Sequence, residues 1–292
     1  DSPLVRRRTR RPRGDGPPPR ITGLNENLAR EILELHTLGV DGGYTQADVT
    51  EFARVLTGWR VPMRELVDAP AGAATSRFDA SWHQPGTKTV LGKRYAEGPE
   101  ALGQVLHDLA LHPSTARFVC TKLARHFVAD DPPPALVARL AERWRATGGE
   151  LPAVYRALVE SPEAWAPQPA KLKSPEEFVV SSARLLGLGA QAFERAPDGG
   201  IAALGQRVQA APSPAGWPDR AEEWLGPEAL WKRLEWASRL GERLGTRIDA
   251  REVAARSLGP RLSPSSRQQI ERAADGAQAL ALLLMAPEFQ RR

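Results

Sequence analysis

The densest set of chemically capable side chains lies between Gly23 and Trp59, in the run GLNENLAREILELHTLGVDGGYTQADVTEFARVLTGW. Asn25, Asn27, Arg30, Glu31, Glu34 and His36 follow one another closely there. Two carboxylates, an imidazole, a guanidinium and two amides would suffice for general acid–base chemistry or for binding a cation. On a helical wheel, Leu24, Leu28, Ile32, Leu35 and Leu38 fall within one arc of about 120°. Glu31 lands inside that arc, and Asn27 and Glu34 lie along its edge. A carboxylate in an apolar stripe costs several kcal/mol unless an arginine or lysine, a metal ion or a proton meets it. The expectation is therefore a partnered Glu31, either in an ion pair between helices or at a ligand or metal site.

Spacing narrows the metal chemistry. There is no HExxH, and Leu33 stands where a Glu-x-x-His motif would need its glutamate relative to His36. Glu34 and His36 are about 200° apart on a regular helix and share an ion only if the last turn before Gly39 unwinds. A second place is the loop Ser81–Lys88, where His83, Gln84 and Lys88 bring an imidazole, an amide and an ammonium onto a turn. A third is the helix expected from Thr115 to Val128. Lys122 and His126 sit four apart there, beside an apolar stripe of Ala116, Val119, Leu123 and Phe127, and Arg125 points away. His112, just before Pro113, reads as a helix N-cap. The candidates are then Glu31, Glu34, His36, His83 and Lys88 for catalysis, and Asn25, Asn27, Arg30 and His112 for ligand binding. Glu31, Glu34, His36 and His83 are the candidates for a divalent metal ion. No GxSxG elbow, GxxxxGK[ST] loop or GxGxxG fingerprint occurs, and Asp41-Gly42-Gly43 lacks the alternating ligands of a calcium loop.

The elements that must carry these groups read as mainly α. Proline and glycine punctuate about a dozen helical stretches. Thr45-Gln-Ala-Asp48, Ser174-Pro-Glu-Glu177 and Ser263-Pro264 carry helix-start chemistry. Strand signal is confined to Phe78–His83 and Thr87–Tyr95, enough for a small hairpin at most. The expected fold is an irregular multi-helix globular domain over residues 23–292, with a loop or sub-boundary within 197–226. Four of the eight tryptophans (Trp217, Trp224, Trp231 and Trp236) cluster near its end, most simply as packing between helices.

Composition excludes several classes. Hydrophobic content of 41% and charged content of 26% are ordinary for a globular chain. No apolar run approaches the roughly 18 to 20 residues needed to span a bilayer, and Ala277–Ala286 reads as a buried helix. Cys120 is the only cysteine, which excludes an internal disulfide and a multi-cysteine zinc site. The net charge of +5 belongs to residues 1–22, where seven arginines crowd an Arg/Pro-rich segment expected to be a flexible arm. Nucleic-acid binding through that arm ranks last, and its paired arginines lack the apolar stretch of an export signal.

The motifs N-E-N-x-A-R-E, E-L-H-T-L-G and G-Y-T-Q-x-D-V, in that order, resemble the most characteristic stretch of the domain-of-unknown-function 1800 family. The likeness continues through Leu56-Thr-Gly-Trp59, the His83-to-Lys88 loop, HPSTARFVCTKLARHFVADDPP, Lys173-Ser-Pro175, SPAGWPD and LLLMAPEFQRR. His83-Gln84 stands where the family pattern resembles His-Asp, which removes a carboxylate from that loop. The resemblance implies an exported protein, read here as a C-terminal portion lacking an N-terminal helical part and its signal. It also implies a partner, since members are encoded beside exported proteins resembling sulfatases or phosphatases. The expected function is an accessory or binding protein acting with such a hydrolase-like partner. The alternative is a metal-dependent or acid–base enzyme built on the NENLAREILELHTLG helix.

Overall fold

A computed structural model describes residues 23–61, 75–189 and 198–292. The protein is mainly helical, with two small antiparallel two-stranded sheets among the described residues. In chain order the helices are α1 (Asn27–Glu31), α2 (Gln46–Leu56), α3 (Glu100–Leu111), α4 (Pro113–Phe127), α5 (Pro134–Ala146) and α6 (Leu151–Val159). They continue as α7 (Pro175–Leu185), α8 (Pro227–Leu244), α9 (Ala250–Ser257), α10 (Pro264–Glu271), α11 (Gly276–Met285) and α12 (Pro287–Gln290). Strand β1 (Trp59–Arg60) pairs with β2 (Arg77–Phe78), and β3 (Lys88–Val90) pairs with β4 (Lys93–Tyr95). The expected small hairpin is β3–β4, within Thr87–Tyr95, while Phe78 pairs with Trp59 instead. The expected arm, residues 1–22, lies outside the described residues, as does residue 197 at the edge of the expected sub-boundary.

The chain divides into two compact units, Asp1–Thr121 with Val137–Ala157, and Lys122–Leu136 with Leu158–Arg292. The first has a core built from Leu33, Phe52, Val55, Val90, Val105 and Leu109. The second is built around Phe178, Ile270, Leu280, Leu283, Leu284 and Phe289. The helix starts read from sequence are present. Thr45 and Ser174 each close a reciprocal capping box, with Asp48 and Glu177 respectively, and Ser263 accepts from Ser266 N–H above Pro264. The expected buried helix is α11. Leu280, Leu283 and Leu284 are fully buried there, each contributing roughly 1.5–3 kcal/mol of transfer free energy.

The close crossing of α8 and α11 explains a glycine pattern. A Cβ on Gly245 would collide with Ala277 N and lie 2.5 Å from the Gly276 carbonyl carbon; a Cβ on Gly241 would strike Ala277 O. Both obstacles are backbone and cannot rotate away. Gly245→Ala should lose about 3 kcal/mol in urea unfolding, at the upper end of overpacking penalties. Gly103→Ala in α3, with open space around it, should gain about 0.4–1 kcal/mol. Equal effects at the two positions would refute the close-packing account.

Candidate functional site

The first unit holds most of the residues singled out from sequence, and among its described residues His83 and Lys88 are the candidates whose side chains are joined by a hydrogen bond. Helix α1 is only five residues long and passes into a π-helical segment, Ile32–Thr37. Leu38 N–H donates to Leu33 O, five residues back, and the Thr37 hydroxyl donates to Ile32 O at 2.7 Å. Of the expected core stripe, Leu38 is buried and Leu24 and Ile32 pack half-buried against the core. Ala29, Leu33 and Leu38 are the buried positions, whereas Leu28 is 54% exposed. Glu31, the last residue of α1, is half-buried. No hydrogen bond or ion pair meets it among the described residues. Glu34 is also half-buried, near Tyr44, whose hydroxyl is pushed up by burial and by Glu34, with Arg30 opposing. His36, Asn25 and Asn27 are exposed, and the Asn25 side chain accepts from Asn27 N–H at 3.0 Å.

The rest of the characteristic motif is spent on fixing α1, α2 and the β3–β4 hairpin together. Glu26 accepts from the Thr50 hydroxyl at 2.6 Å and from Gln46 Nε2 at 2.7 Å, and Arg30 donates to Gln46 Oε1 at 2.6 Å. The Thr50 hydroxyl and the Gln46 amide hold Glu26 below the usual carboxylate range. Burial works to raise Asp48, but the Thr45 hydroxyl and the Thr45 and Leu91 amides outweigh it and hold the group low. Asp48 thereby grips the turn of the hairpin through Leu91 N–H at 2.7 Å, and Glu51 accepts from Thr89 N–H at 3.0 Å.

His83 and Lys88 do come together, in a closed arrangement. Lys88 has no exposed surface and donates to His83 Nε2 at 2.8 Å and to the Gln84 carbonyl. His83 Nδ1 donates to Thr57 O at 2.7 Å, which fixes the tautomer that leaves Nε2 free to accept. Burial lowers the Lys88 ammonium; Arg54 adds to this, and Glu97 and Glu51 oppose it. The imidazole and the ammonium expected on this loop thus converge, and both are buried. His112 takes its expected place, capping α4 by accepting from Ser114 N–H at 3.1 Å. Cys120 is a core residue whose thiol burial pushes up to about 11. Among the described residues, no three His, Cys, Asp or Glu side chains meet in a way that could hold a metal ion.

In the second unit the segment Lys171-Leu172-Lys173 runs beside the end of the chain. Leu172 pairs with Arg291 in an antiparallel bridge, Arg292 N–H donates to Lys171 O at 2.9 Å, and Lys173 N–H donates to Gln290 O at 2.9 Å. The two lysines have different surroundings. Lys171, 2% exposed, donates to Asp130 Oδ1 and to the Asp219 carbonyl. Asp130 also accepts from Ala221 N–H at 2.7 Å. Lys122, at 3.3 Å, and His126, at 3.8 Å, both approach the Asp219 carboxylate, so the pair read from helical spacing shares one partner. Arg125, expected to point away, donates to Asp130 O at 3.0 Å.

Lys173 has no such partner. It is 9% exposed, its Nζ lies 3.7 Å from the centre of the Phe289 ring, and no carboxylate forms an ion pair with it among the described residues. Burial lowers it to about 8; Glu177 opposes this, and Arg261, Arg292 and Arg233 add to it. Arg233 is itself buried, donating to Lys173 O at 2.6 Å and to Gln290 Oε1 at 2.7 Å over the face of Phe178. Sequence reading did not select Asp130, Lys171, Lys173, Asp219 or Arg233 as site residues.

The structure defines a mainly helical protein with a sealed polar knot in one unit and a buried cationic cluster in the other. Its sequence matches a family model over residues 7–291. The chain belongs to the family described as "Protein of unknown function (DUF1800)". No curated protein and no solved structure matches it.

Proposed function

We propose that the chain is a binding protein, exported and acting beside a hydrolase-like partner, with its contacts made outside the NENLAREILELHTLG segment. One observation carries this reading. Two of the polar groups of the first unit that could do chemistry, Lys88 and His83, are buried against each other and so are not free to meet a substrate. A general base must reach the proton it removes, and a side chain without exposed surface reaches only its neighbours. Export and the hydrolase-like partner rest on the family likeness.

The enzymatic reading draws on Glu34, half-buried beside Tyr44, and on the exposed His36. Removing a working acid or base costs roughly 10²–10⁴-fold in rate. The full chain, offered phosphate, sulfate and carboxylic esters with and without divalent cations, should show no turnover that depends on these groups. Glu34→Gln and His36→Asn should leave any background rate unchanged, and the immobilised chain should retain the hydrolase encoded beside it. A rate that collapses in either variant, or failure to retain that hydrolase, would overturn the proposal.

A further inference from the structure

The second unit contains a buried cation, Lys173, with which no carboxylate forms an ion pair among the described residues. Lys173 is more than nine-tenths buried, and the ring of Phe289 is the group its ammonium faces. The nearest acid in charge terms, Glu177, is already committed: one oxygen accepts from Ser174 N–H at 2.9 Å and the other pairs with Arg292 Nε at 2.6 Å. Glu288 is likewise spent, on Ser263 N–H at 3.0 Å and on the Ser266 hydroxyl at 2.9 Å. Arg233 is tied to two oxygens, which belong to a backbone carbonyl and an amide and carry no charge. Lys173, Arg233, Arg261 and Arg292 thus act on one region with Glu177 as the acid among them.

A buried ammonium without a charged acceptor is costly, and an anion entering beside it gains charge-assisted hydrogen bonds in a partly dry setting. The small exposed fraction of Lys173 gives such an anion a way in, and the exposed Arg261 adds its positive charge to that of Lys173. We propose that Lys173, flanked by Arg261 and Arg292, is the centre of a binding site for a small oxyanion, a phosphate, sulfate or carboxylate group. The inference rests on the binding-protein reading and names its ligand chemistry. The ring of Phe289 covers one face of the ammonium, so the oxyanion would meet Lys173 away from that ring.

Calorimetric titration of the full chain with inorganic phosphate, sulfate or acetate at neutral pH tests this. At least one of the three should bind saturably, one ion per chain. Losing a charge-assisted bond to a bound ion costs about ten- to hundredfold in affinity, so Lys173→Met should weaken binding by that factor. Arg261→Met, an exposed change that leaves the core untouched, should weaken it several-fold and keeps the test valid if Lys173→Met misfolds. Lys232→Met, an exposed lysine paired with Glu228, should change nothing. The bound ion should also protect Lys173 from amine acylation, read by peptide mass spectrometry. Absence of saturable heat with all three ions, or equal affinity in wild type, Lys173→Met and Arg261→Met, would overturn the site. Either result leaves the binding-protein reading standing, because that reading fails on Glu34- or His36-dependent turnover or on failure to retain the hydrolase.

Discussion

Asp130→Ala should cost about 3–5 kcal/mol in urea unfolding, the range for stripping one partner from a buried ion pair. The Lys171 side chain is 3% exposed, and Asp130 supplies its charged acceptor. Removing the carboxylate leaves the ammonium with the Asp219 carbonyl alone and takes the acceptor from Ala221 N–H. The neighbouring residue is the control. The Asp131 side chain is 82% exposed and meets Arg220 at 2.9 Å, so Asp131→Ala should change stability by no more than about 1 kcal/mol. Lys171→Met combined with Asp130→Leu removes both charges and should recover most of the loss. The pH dependence has a definite sign. Burial works to raise Asp130, but the Lys171 hydrogen bond, Ala221 N–H and the charges of Lys171 and Arg220 outweigh it and hold the group below 3.8. Its contribution is complete above the ordinary aspartate value and is lost as pH falls through the lowered one. Asp130→Ala should therefore flatten the acid limb of the stability curve. If Asp130→Ala and Asp131→Ala cost the same, Lys171 is not relying on Asp130.

Why sequence distinguishes these two aspartates so poorly is a matter of range. Features decided within four residues were legible. The capping boxes at Thr45 and Ser174, the cap at His112 and the place of Lys122 and His126 on one flank of α4 follow from local spacing, whereas their common partner Asp219 does not. The apolar run of α11 announced its own burial. The wheel drawn through Leu24, Leu28 and Ile32 put Leu28 on the buried face, whereas the short helix Asn27–Glu31 turns Ala29 inward, and beyond Glu31 the chain winds with i→i+5 bonds. Nothing in ILELHT marks that change in advance. Leu38 kept its expected place in the core, Ala29 and Leu33 joined it unforeseen, and Glu31 is half-buried. The second unit was illegible for a different reason. Lys171 meets Asp130 across 41 residues, and Arg233 meets Gln290 and Lys173 across 57 and 60. In AKLKSP both lysines read as solvated charge, and only the fold turns them inward. The likeness of SPAGWPD and LLLMAPEFQRR to a known family marked segments worth attention without saying which atoms mattered. Asp219 and Gln290 supply that missing detail.

Arg233→Met should cost about 3–5 kcal/mol, and Arg233→Lys should not rescue it. The guanidinium is 2% exposed and uses its fork on two acceptors at once, Gln290 Oε1 at 2.7 Å and Lys173 O at 2.6 Å. An ammonium is a point donor without that planar geometry and cannot span both while lying over Phe178. Each acceptor left unmet in a buried site costs roughly 1–3 kcal/mol, and the vacated volume adds to the loss. Burial lowers Arg233 only to about 10, with Glu177 opposing, so the group stays charged at neutral pH and the deficit in the variants should not change between pH 5 and 8 in the way a titrating partner would require. A double-mutant cycle with Gln290→Met isolates the side-chain bond. A coupling of about 0.5–3 kcal/mol is expected for residues in direct contact, below the whole Arg233 effect because the bond to Lys173 O survives in the Gln290 variant. That remaining bond connects structure to ligand chemistry, since Arg233 fixes the backbone from which Lys173 projects. Arg233→Lys should then weaken phosphate binding even where the chain stays folded. If stability falls and anion affinity does not, Lys173 is positioned by the Gln290–Lys173 backbone pairing alone, and Arg233 is a strut of the core with no part in the site.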